Sequence, residues 1–513
     1  MADPISFDEL GMEVVADLAE GRAKPAPGTP FKIALLGDFS GRASRGLLDP
    51  SAAGKRPTQV DRDTIDELIK KLRVEVHLSL EEEGESLVIR FAELDDFHPD
   101  RLYQRLDIFQ PLRKLRKALR DPKTFDAAAE IARSMFAPQA TPKPDAQQKS
   151  PPPQKQQGGS LLDQVIAETT GQPVEQQPLS AEKNELSSFL GQIVGPHLVK
   201  ELSGQEELTY AVDQAVSEVM RAILHHPEFQ ELEATWRSVD FLIRRLNTGE
   251  DLSIHLFDIS RDEFKQDLSS SNDPRKTALY RSFVEHATEQ FGGTPFAALI
   301  GLYEFGPAVP DIALLGRMAT IAGLAGAPFI TGARDSFLGT PSLAATPDPS
   351  SWQKLPDEEA MLWRALRHSP QACWLGLCLP RFLLRLPFGE KTDPTETFDF
   401  EEFPGLPQHQ SYLWANSAIA CALLLGKSYT AEGWEMRAAL QQDMENLPLH
   451  IYTDKGETDI TPCAEVVFTE RAASHIMELG FMPLLSFINQ DRARLGRFQS
   501  VSAGSSRLDG RWS

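Results

Sequence analysis

Residues 137–159 read APQATPKPDAQQKSPPPQKQQGG, with Pro151, Pro152 and Pro153 consecutive. Proline, glutamine and lysine without apolar periodicity cannot bury enough surface to offset the entropy of ordering the chain. The stretch is therefore read as a disordered linker, and it divides the sequence into two folded blocks. At 513 residues and 41% hydrophobic, the chain can bury more than one core, roughly two to four domains at ordinary domain size.

The formal charge of −22 makes the average surface repel phosphate, so nucleic acid is not an expected partner. The densest basic cluster, Arg113, Lys114, Arg116, Lys117 and Arg120, interleaves with Leu112, Leu115 and Leu119, the pattern of a solvated helix face. Four cysteines in so long a chain point to a reducing compartment, and the cytoplasm is the expected location. The first residues, MADPISFDELGMEVVADLAEG, carry acids where a signal peptide needs bases. No stretch of about 18 uncharged apolar residues occurs, and the nearest, 417–425 (SAIACALLL), is too short to span a bilayer.

In the first block, 31–36 (FKIALL) is a buried-strand signal closed by Gly37, Asp38, Ser40 and Gly41. A phosphate loop fails on spacing, because neither G-x-G-x-x-G nor G-x-x-x-x-G-K-[ST] is present. Asp63 is placed as the N-cap of a helix carrying Ile65, Leu68, Ile69 and Leu72. Residues 73–80 (RVEVHLSL) and 86–91 (SLVIRF) alternate as a hairpin around an acidic turn. A helical pattern then runs through Leu102, Leu106 and Phe109 to Leu112, Leu115 and Leu119, with Pro111 restarting or kinking it.

The second block opens with 161–169 (LLDQVIAET), an amphipathic helix with Leu162, Val165 and Ile166 on one face. Two readings of it stand, a partner-docking segment or a helix packed on its own domain. Val212, Val216, Val219 and Ile223, then Leu232, Trp236, Val239, Ile243 and Leu246, mark two core-facing helices separated by His225-His226-Pro227-Glu228. Downstream, 296–302 (FAALIGL), 327–330 and 374–379 read as strands and a helix starts at Asp311, so the fold class is α/β (α+β). Arg381 and Arg385, four apart on a helical turn, are read as internal ion-pair partners.

Adjacent His225 and His226 project about 100° apart and cannot share a tetrahedral ion. Cys373 and Cys378 lie in an apolar run without zinc spacing. G-x-S-x-G, H-E-x-x-H and a Walker lysine are all missing. No catalytic, cofactor-binding or metal-binding residue is therefore assigned, and an enzyme, for instance a nucleotide-using one near Gly37 or Gly292, is the reading of another class.

The order Gly37-Asp38-Phe39-Ser40-Gly41, Val60-Asp61-Arg62-Asp63, Leu87 to Phe91 and Leu94-Asp95-Asp96-Phe97-His98-Pro99 resembles the small subunit of the type VI secretion contractile sheath. His225-His226-Pro227-Glu228-Phe229, Leu232 to Arg237, Gln290-Phe291-Gly292-Gly293, Tyr303 to Pro307, Ala327 to Ile330, Leu379 to Pro387 and Tyr412 to Asn416 resemble the large subunit. The resemblance implies a structural, non-enzymatic protein without cofactors: two interlocked sheath-type domains fused into one protomer of a tube around an inner needle tube. It also implies that Leu162, Val165 and Ile166 dock the AAA+ ATPase that recycles contracted sheaths. The expected organisation is an N-terminal arm (1–28), a small-subunit-like domain (29–136), the linker, a docking helix and connector (160–200), a large-subunit-like domain (201–501) and a flexible tail (502–513). Relative to that family the large-subunit region reads as truncated at its C-terminus. Phe7, Leu10, Val14, Val15 and Leu18 lie nearer helical than extended spacing. The resemblance implies an extended N-terminal arm and a C-terminal segment that supply strands to neighbours, and loss of both donors would make the chain a non-polymerising cap, initiator or baseplate-associated accessory, the alternative to a tube-forming protomer.

Overall fold

The computed structural model describes residues 25–26, 28–80, 86–136, 204–289, 293–438, 441–504 and 506–512. Residues 1–24, the expected linker, the expected docking helix with Leu162, Val165 and Ile166, the acidic run after Leu80 and Gln290-Phe291-Gly292 lie outside them. In chain order the strands are β1 (Phe31–Gly37), β2 (Thr58–Val60), β3 (Glu75–Leu78), β4 (Leu87–Arg90), β5 (Leu252–Asp258), β6 (Ala298–Phe305), β7 (Phe329–Ala333) and β8 (Leu375–Leu379). β9 (Phe382–Leu383), β10 (Trp414–Ala415), β11 (Asp443–Met444), β12 (His450–Asp454), β13 (Glu457–Thr461), β14 (Met482–Ser486) and β15 (Ala493–Leu495) complete the set.

Nine of these form one mixed sheet in the order β11-β15-β14-β8-β7-β6-β1-β5-β2. β1, from the first block, runs parallel to β5 on one side and β6 on the other, both from the second block. β2 adds antiparallel to the far edge of β5. The first block therefore builds no sheet of its own around β1, and the blocks interlock through the backbone ladder itself. The β3–β4 hairpin forms as its alternation predicts, as a separate two-stranded sheet.

The continuous apolar run of β1 follows from burial on both faces, as in parallel sheets covered by helices on each side. Ile33 and Leu35 enter one core and Ala34 and Leu36 the other, in step with the period of two. The first core is covered by helices α1 (Ile65–Leu72), α2 (Pro99–Arg105), α3 (Gln110–Arg120), α4 (Phe125–Met135), α5 (Gln205–Leu224), α6 (Pro227–Arg245) and a later helix, Ala418–Glu432. That last helix is apolar all round and buried, which accounts for the short hydrophobic run at 417–425. The second core lies under α7 (Arg261–Ser269) and α8 (Val309–Ala325).

Several sequence expectations shift. Asp63 does not cap α1: the helix starts at Ile65, and it is the Asp61 carboxylate that accepts from the Asp63 and Thr64 amides, both at 3.0 Å. Pro111 restarts the chain, sitting in the first turn of α3. α8 begins at Val309, two residues before Asp311. No helical turn forms at Arg381 and Arg385, where the chain makes the short strand β9 instead. Where a flexible tail was expected, its described residues pack against the body. Leu508 and Trp512 are buried, the Trp512 ring lies 6.1 Å from that of Phe31, and the Asp509 amide donates to the Cys373 carbonyl at 2.8 Å. Its glycines and serines hid two apolar anchors that the core of β1 recruits.

Because both edges of β1 are paired by the second block, a protease site placed within residues 137–159 and cleaved in the folded protein leaves two fragments that co-elute on gel filtration without denaturant. Separation of the fragments at neutral pH would contradict the shared sheet.

Candidate functional site

The turn that leaves β1 is the point where the two blocks are clasped. Asp38 closes it by accepting from the Arg42 amide at 2.9 Å and the Ala43 amide at 2.7 Å. The Phe39 carbonyl accepts the indole N–H of fully buried Trp236 on α6 at 2.9 Å, with their rings edge to face. Gly41 has φ +73°, and a Cβ there would lie 2.2 Å from the Glu75 carbonyl oxygen. Only glycine fits that backbone.

Arg42, the next residue, carries the electrostatic part of the clasp. Its guanidinium holds Glu263 through two bonds of 2.8 Å and also engages Asp258 and the Ser40 hydroxyl. Asp258 ends β5, and Glu263 lies in the first turn of α7, where it also accepts the Asp49 amide at 2.7 Å. Burial works against the Arg42 charge, but Glu263 and Asp258 outweigh it and raise its pKa. Burial likewise opposes the Glu263 charge, yet Arg42 and the Asp49 and Ser260 amides keep its carboxyl below the ordinary range. Arg116 on α3 supplies a further bond between blocks, 2.6 Å from Asp213 on α5.

Arg381 and Arg385 are internal ion-pair partners, as read from the sequence. Arg385 bridges Glu233 at 3.0 Å and Glu402 at 2.8 Å, and Glu402 also accepts the Phe388 amide at 2.8 Å. Arg381 grips Glu465 through Nε at 2.9 Å and through Nη2, with its own amide donating at 2.9 Å. Burial would raise both carboxyls, but Arg385 and His225 hold Glu402 at about 2, and Arg381 and His409 hold Glu465 at about 2. The two histidines have separate tasks: His226 Nδ1 accepts the Glu228 amide at the start of α6, and His225 lies 3.4 Å from Glu402. Cys378 is buried with its Sγ 3.2 Å from that of Cys421, while Cys373 is half-buried.

Beyond the turn, the carboxyl ends of β1, β6, β7 and β8 open into a cavity of about 540 Å³. Asp38, Glu231, Arg261, Glu304, Arg334 and Arg381 provide its charges, together with Asp262, and Tyr412 and Trp414 contribute to its wall. The location has a topological cause: the chain passes from β5 back across β1 to β6, and such reversals leave a crevice at the strand ends. Among the described residues no group of three or more histidines, cysteines or carboxylates has the arrangement to hold a metal ion. No described helix is long and apolar enough to cross a membrane.

Sequence reasoning located the turn and both second-block arginines but missed Arg42 and all their carboxylate partners. Those partners lie far away along the chain and carry no local pattern. The adjacency of Arg42 to an Asp-x-Ser-Gly turn was the one available hint.

An interlocked α/β body held by long-range ion pairs at a split between sequence blocks defines the class of a two-part assembly protein. A model of the family described as EvpB/VC_A0108, tail sheath N-terminal domain, matches residues 206–502, more than half of the chain. A second, described as type VI secretion system, VipA, VC_A0107 or Hcp2, matches residues 12–135. The chain belongs to the tail sheath family of the type VI secretion system, with small- and large-subunit regions in one polypeptide. It is 35% identical over 303 residues to the type VI secretion system sheath protein TssC1 of Pseudomonas aeruginosa (strain PAO1), covering 58% of this chain and 61% of that protein. The chain thus spans about three-fifths of the length of the curated relative that it matches.

Replacing Arg385 with methionine leaves Glu233 and Glu402 buried without their cation, and the expected loss is about 3–5 kcal/mol of unfolding free energy, measured by urea titration. Stability against pH carries two opposed signatures. The depressed Glu402 and Glu465 contribute stability that is full above their ordinary 4.5 and is lost as pH falls towards 2. Glu231, solvent-exposed on the cavity lining, is raised to about 7, first by desolvation from the atoms around it and then by Glu228, Asp38 and Glu304. Its contribution is full below 4.5 and declines as pH rises through 7. Glu231→Gln removes the second decline and leaves the acid one, as followed by melting temperature across pH 3–8.

Proposed function

We propose that this protein is a cytoplasmic structural component of a type VI secretion contractile sheath, a fused small/large protomer that assembles around the inner needle tube and performs no catalysis. The observation that carries this reading is the position of β1. The small-subunit-like block supplies the central strand of the large-subunit-like block's sheet, so the fusion delivers both blocks as one interlocked body per chain. Work in such a system comes from burial and release of surface between neighbouring bodies, which needs a rigid protomer and no reacting group. The ion-pair clusters at Arg42, Arg381 and Arg385 serve that rigidity, since each ties elements distant in sequence.

The enzyme reading gains no support from the junction. A phosphate placed beyond Gly37 would meet Asp38, Glu231 and Glu304, and two of the arginines there are already bound to carboxylates. Docking of the AAA+ recycling ATPase through Leu162, Val165 and Ile166 belongs to the same proposal and rests on the resemblance of this segment to the large subunit's N-terminal helix, with the three apolar residues as its anchors.

Negative-stain electron microscopy of the purified chain tests the assembly role directly. Helical tubes, or incorporation into tubes of the separate sheath subunits, are expected; a protein that stays monomeric and enters no sheath would sink the proposal. For the docking segment, the triple change Leu162→Asp, Val165→Asp and Ile166→Asp is expected to abolish ATPase pull-down while leaving the melting temperature within about 1 °C, since surface changes shift stability little. Undiminished pull-down would remove that role.

A further inference from the structure

We propose that Cys378 and Cys421 form a redox pair, two core thiols that hydrogen peroxide closes into a disulfide and a dithiol reductant reopens. This goes beyond the sheath reading and does not depend on it.

The four cysteines divide by what their sulfurs meet. Cys373 donates to the Pro370 carbonyl at 3.1 Å, and Cys463 to the Gln490 carbonyl at 3.3 Å. Cys378 and Cys421 meet each other, sulfur to sulfur at 3.2 Å, and neither is exposed. Closing a disulfide needs a further contraction of about 1 Å, to the ordinary S–S length.

The fold builds this contact from both sides. Cys378 lies opposite Gly332 of β7 and Met482 of β14, so the paired edges of β8 fix its place on the sheet. Cys421 lies in the first turns of the helix Ala418–Glu432, whose start is anchored low over the same strands. There Asn416 Nδ2 donates to the Tyr303 carbonyl at 2.8 Å, and Oδ1 accepts the Ala418 amide at 2.9 Å. Gly332 permits the close approach, since a Cβ on it would lie 2.7 Å from Asn416 Nδ2. The two cysteines stand 43 residues apart, so a bond between them ties the sheet to the helix that covers it.

The chemistry balances with peroxide alone. One sulfur, as its thiolate, attacks a peroxide oxygen and breaks the O–O bond; it becomes a sulfenic acid, and the departing hydroxide leaves as water with the thiol's proton. The second sulfur attacks the sulfenic sulfur, forms the S–S bond and expels the oxygen as a second water with its own proton. Two electrons pass from the sulfurs to the peroxide. A dithiol reverses the bond by exchange and departs as its own disulfide. Burial pushes the Cys378 thiol well above its ordinary range, so thiolate is scarce while the core is closed. Attack therefore proceeds as the helix loosens locally from the sheet, and reclosure brings the second thiol onto the oxidised one. That order favours the disulfide over further oxidation of a single sulfur.

The test is to treat the reduced full chain with hydrogen peroxide, block remaining thiols with N-ethylmaleimide in denaturant, and map peptides without reductant. Fragmentation of the peptides separates Cys378 from Cys373. A linked Cys378–Cys421 pair is expected, about 2 Da lighter than the two thiol peptides together and restored by dithiothreitol. The cross-linked chain is expected to melt roughly 5 °C higher than the reduced one, because the bond restricts the unfolded state. Cys421→Ala is expected to abolish both the linked pair and the shift, and Cys373→Ser to leave both in place. Mapping of the unsubstituted chain decides the matter even where Cys421→Ala fails to fold. Recovery of Cys378 and Cys421 as free thiols after Cys373 has been oxidised would overturn the proposal. So would a disulfide from either to Cys373 or Cys463, or a sulfinic acid on one of them in place of the link.

Discussion

Strand β1 has no free edge, and everything else in the architecture depends on that. Its amides and carbonyls alternate between β5 and β6, both more than two hundred residues later in the chain. Each ladder bond contributes only about 0.5–1.5 kcal/mol net, but removing the strand would leave two unpaired edges and split two cores at once. The first block by itself would carry FKIALL with both apolar faces and both edges open, which is the composition of an aggregation site. The two blocks are thus parts of one folding unit that the sequence merely writes in two places.

The charged clasps complement this pairing and do not replace it. Buried ion pairs seldom add much net stability over apolar substitutes, because desolvation takes back most of the Coulomb gain. Their value here is in register. Arg42 fixes the exit of β1 against the exit of β5 and the start of α7, so a one-residue slip would leave Asp258, Glu263 and a guanidinium buried and unmatched. Arg385 does the same for α6 against the 402 loop, and Arg381 for the end of β8 against Glu465. Such penalties on partial misalignment favour a single arrangement of the body.

How far the sequence could be read follows from the range of the interaction involved. Local patterns succeeded: the buried run of β1, the hairpin of β3 and β4, the steps of α5 and α6, and the assignment of Arg381 and Arg385 to ion pairs all depend on neighbours a few residues away. Failures cluster where a distant contact decides. Asp63 had the right chemistry for a cap, but Asp61 turns back onto Thr64 because Arg62 between them is drawn to the carbonyls of Ile243 and Arg244. The tail after Val501 looked polar because its two anchors are sparse, and only the Phe31 cluster explains their burial. The cavity left no trace in the sequence at all, since its lining comes from both blocks and is brought together by the crossing over β1.

Joining the two blocks in one chain changes the thermodynamics of that crossing. Between separate chains, inserting β1 between β5 and β6 requires the translational and rotational freedom of one partner, a cost of several kcal/mol at ordinary concentrations. Within one chain the cost becomes loop closure, which grows only as the logarithm of length: about 0.6 kcal/mol for each doubling. A tether longer than the span it must bridge is therefore nearly as good as a short one, and its composition is free to vary as long as it neither folds nor aggregates. The proline, glutamine and lysine of residues 137–159 have the composition such a tether calls for, which is why this stretch marks the division of the chain into two blocks. What the tether leaves unchanged is the ladder itself: the same backbone bonds and ion pairs would hold two separate chains, only less readily formed.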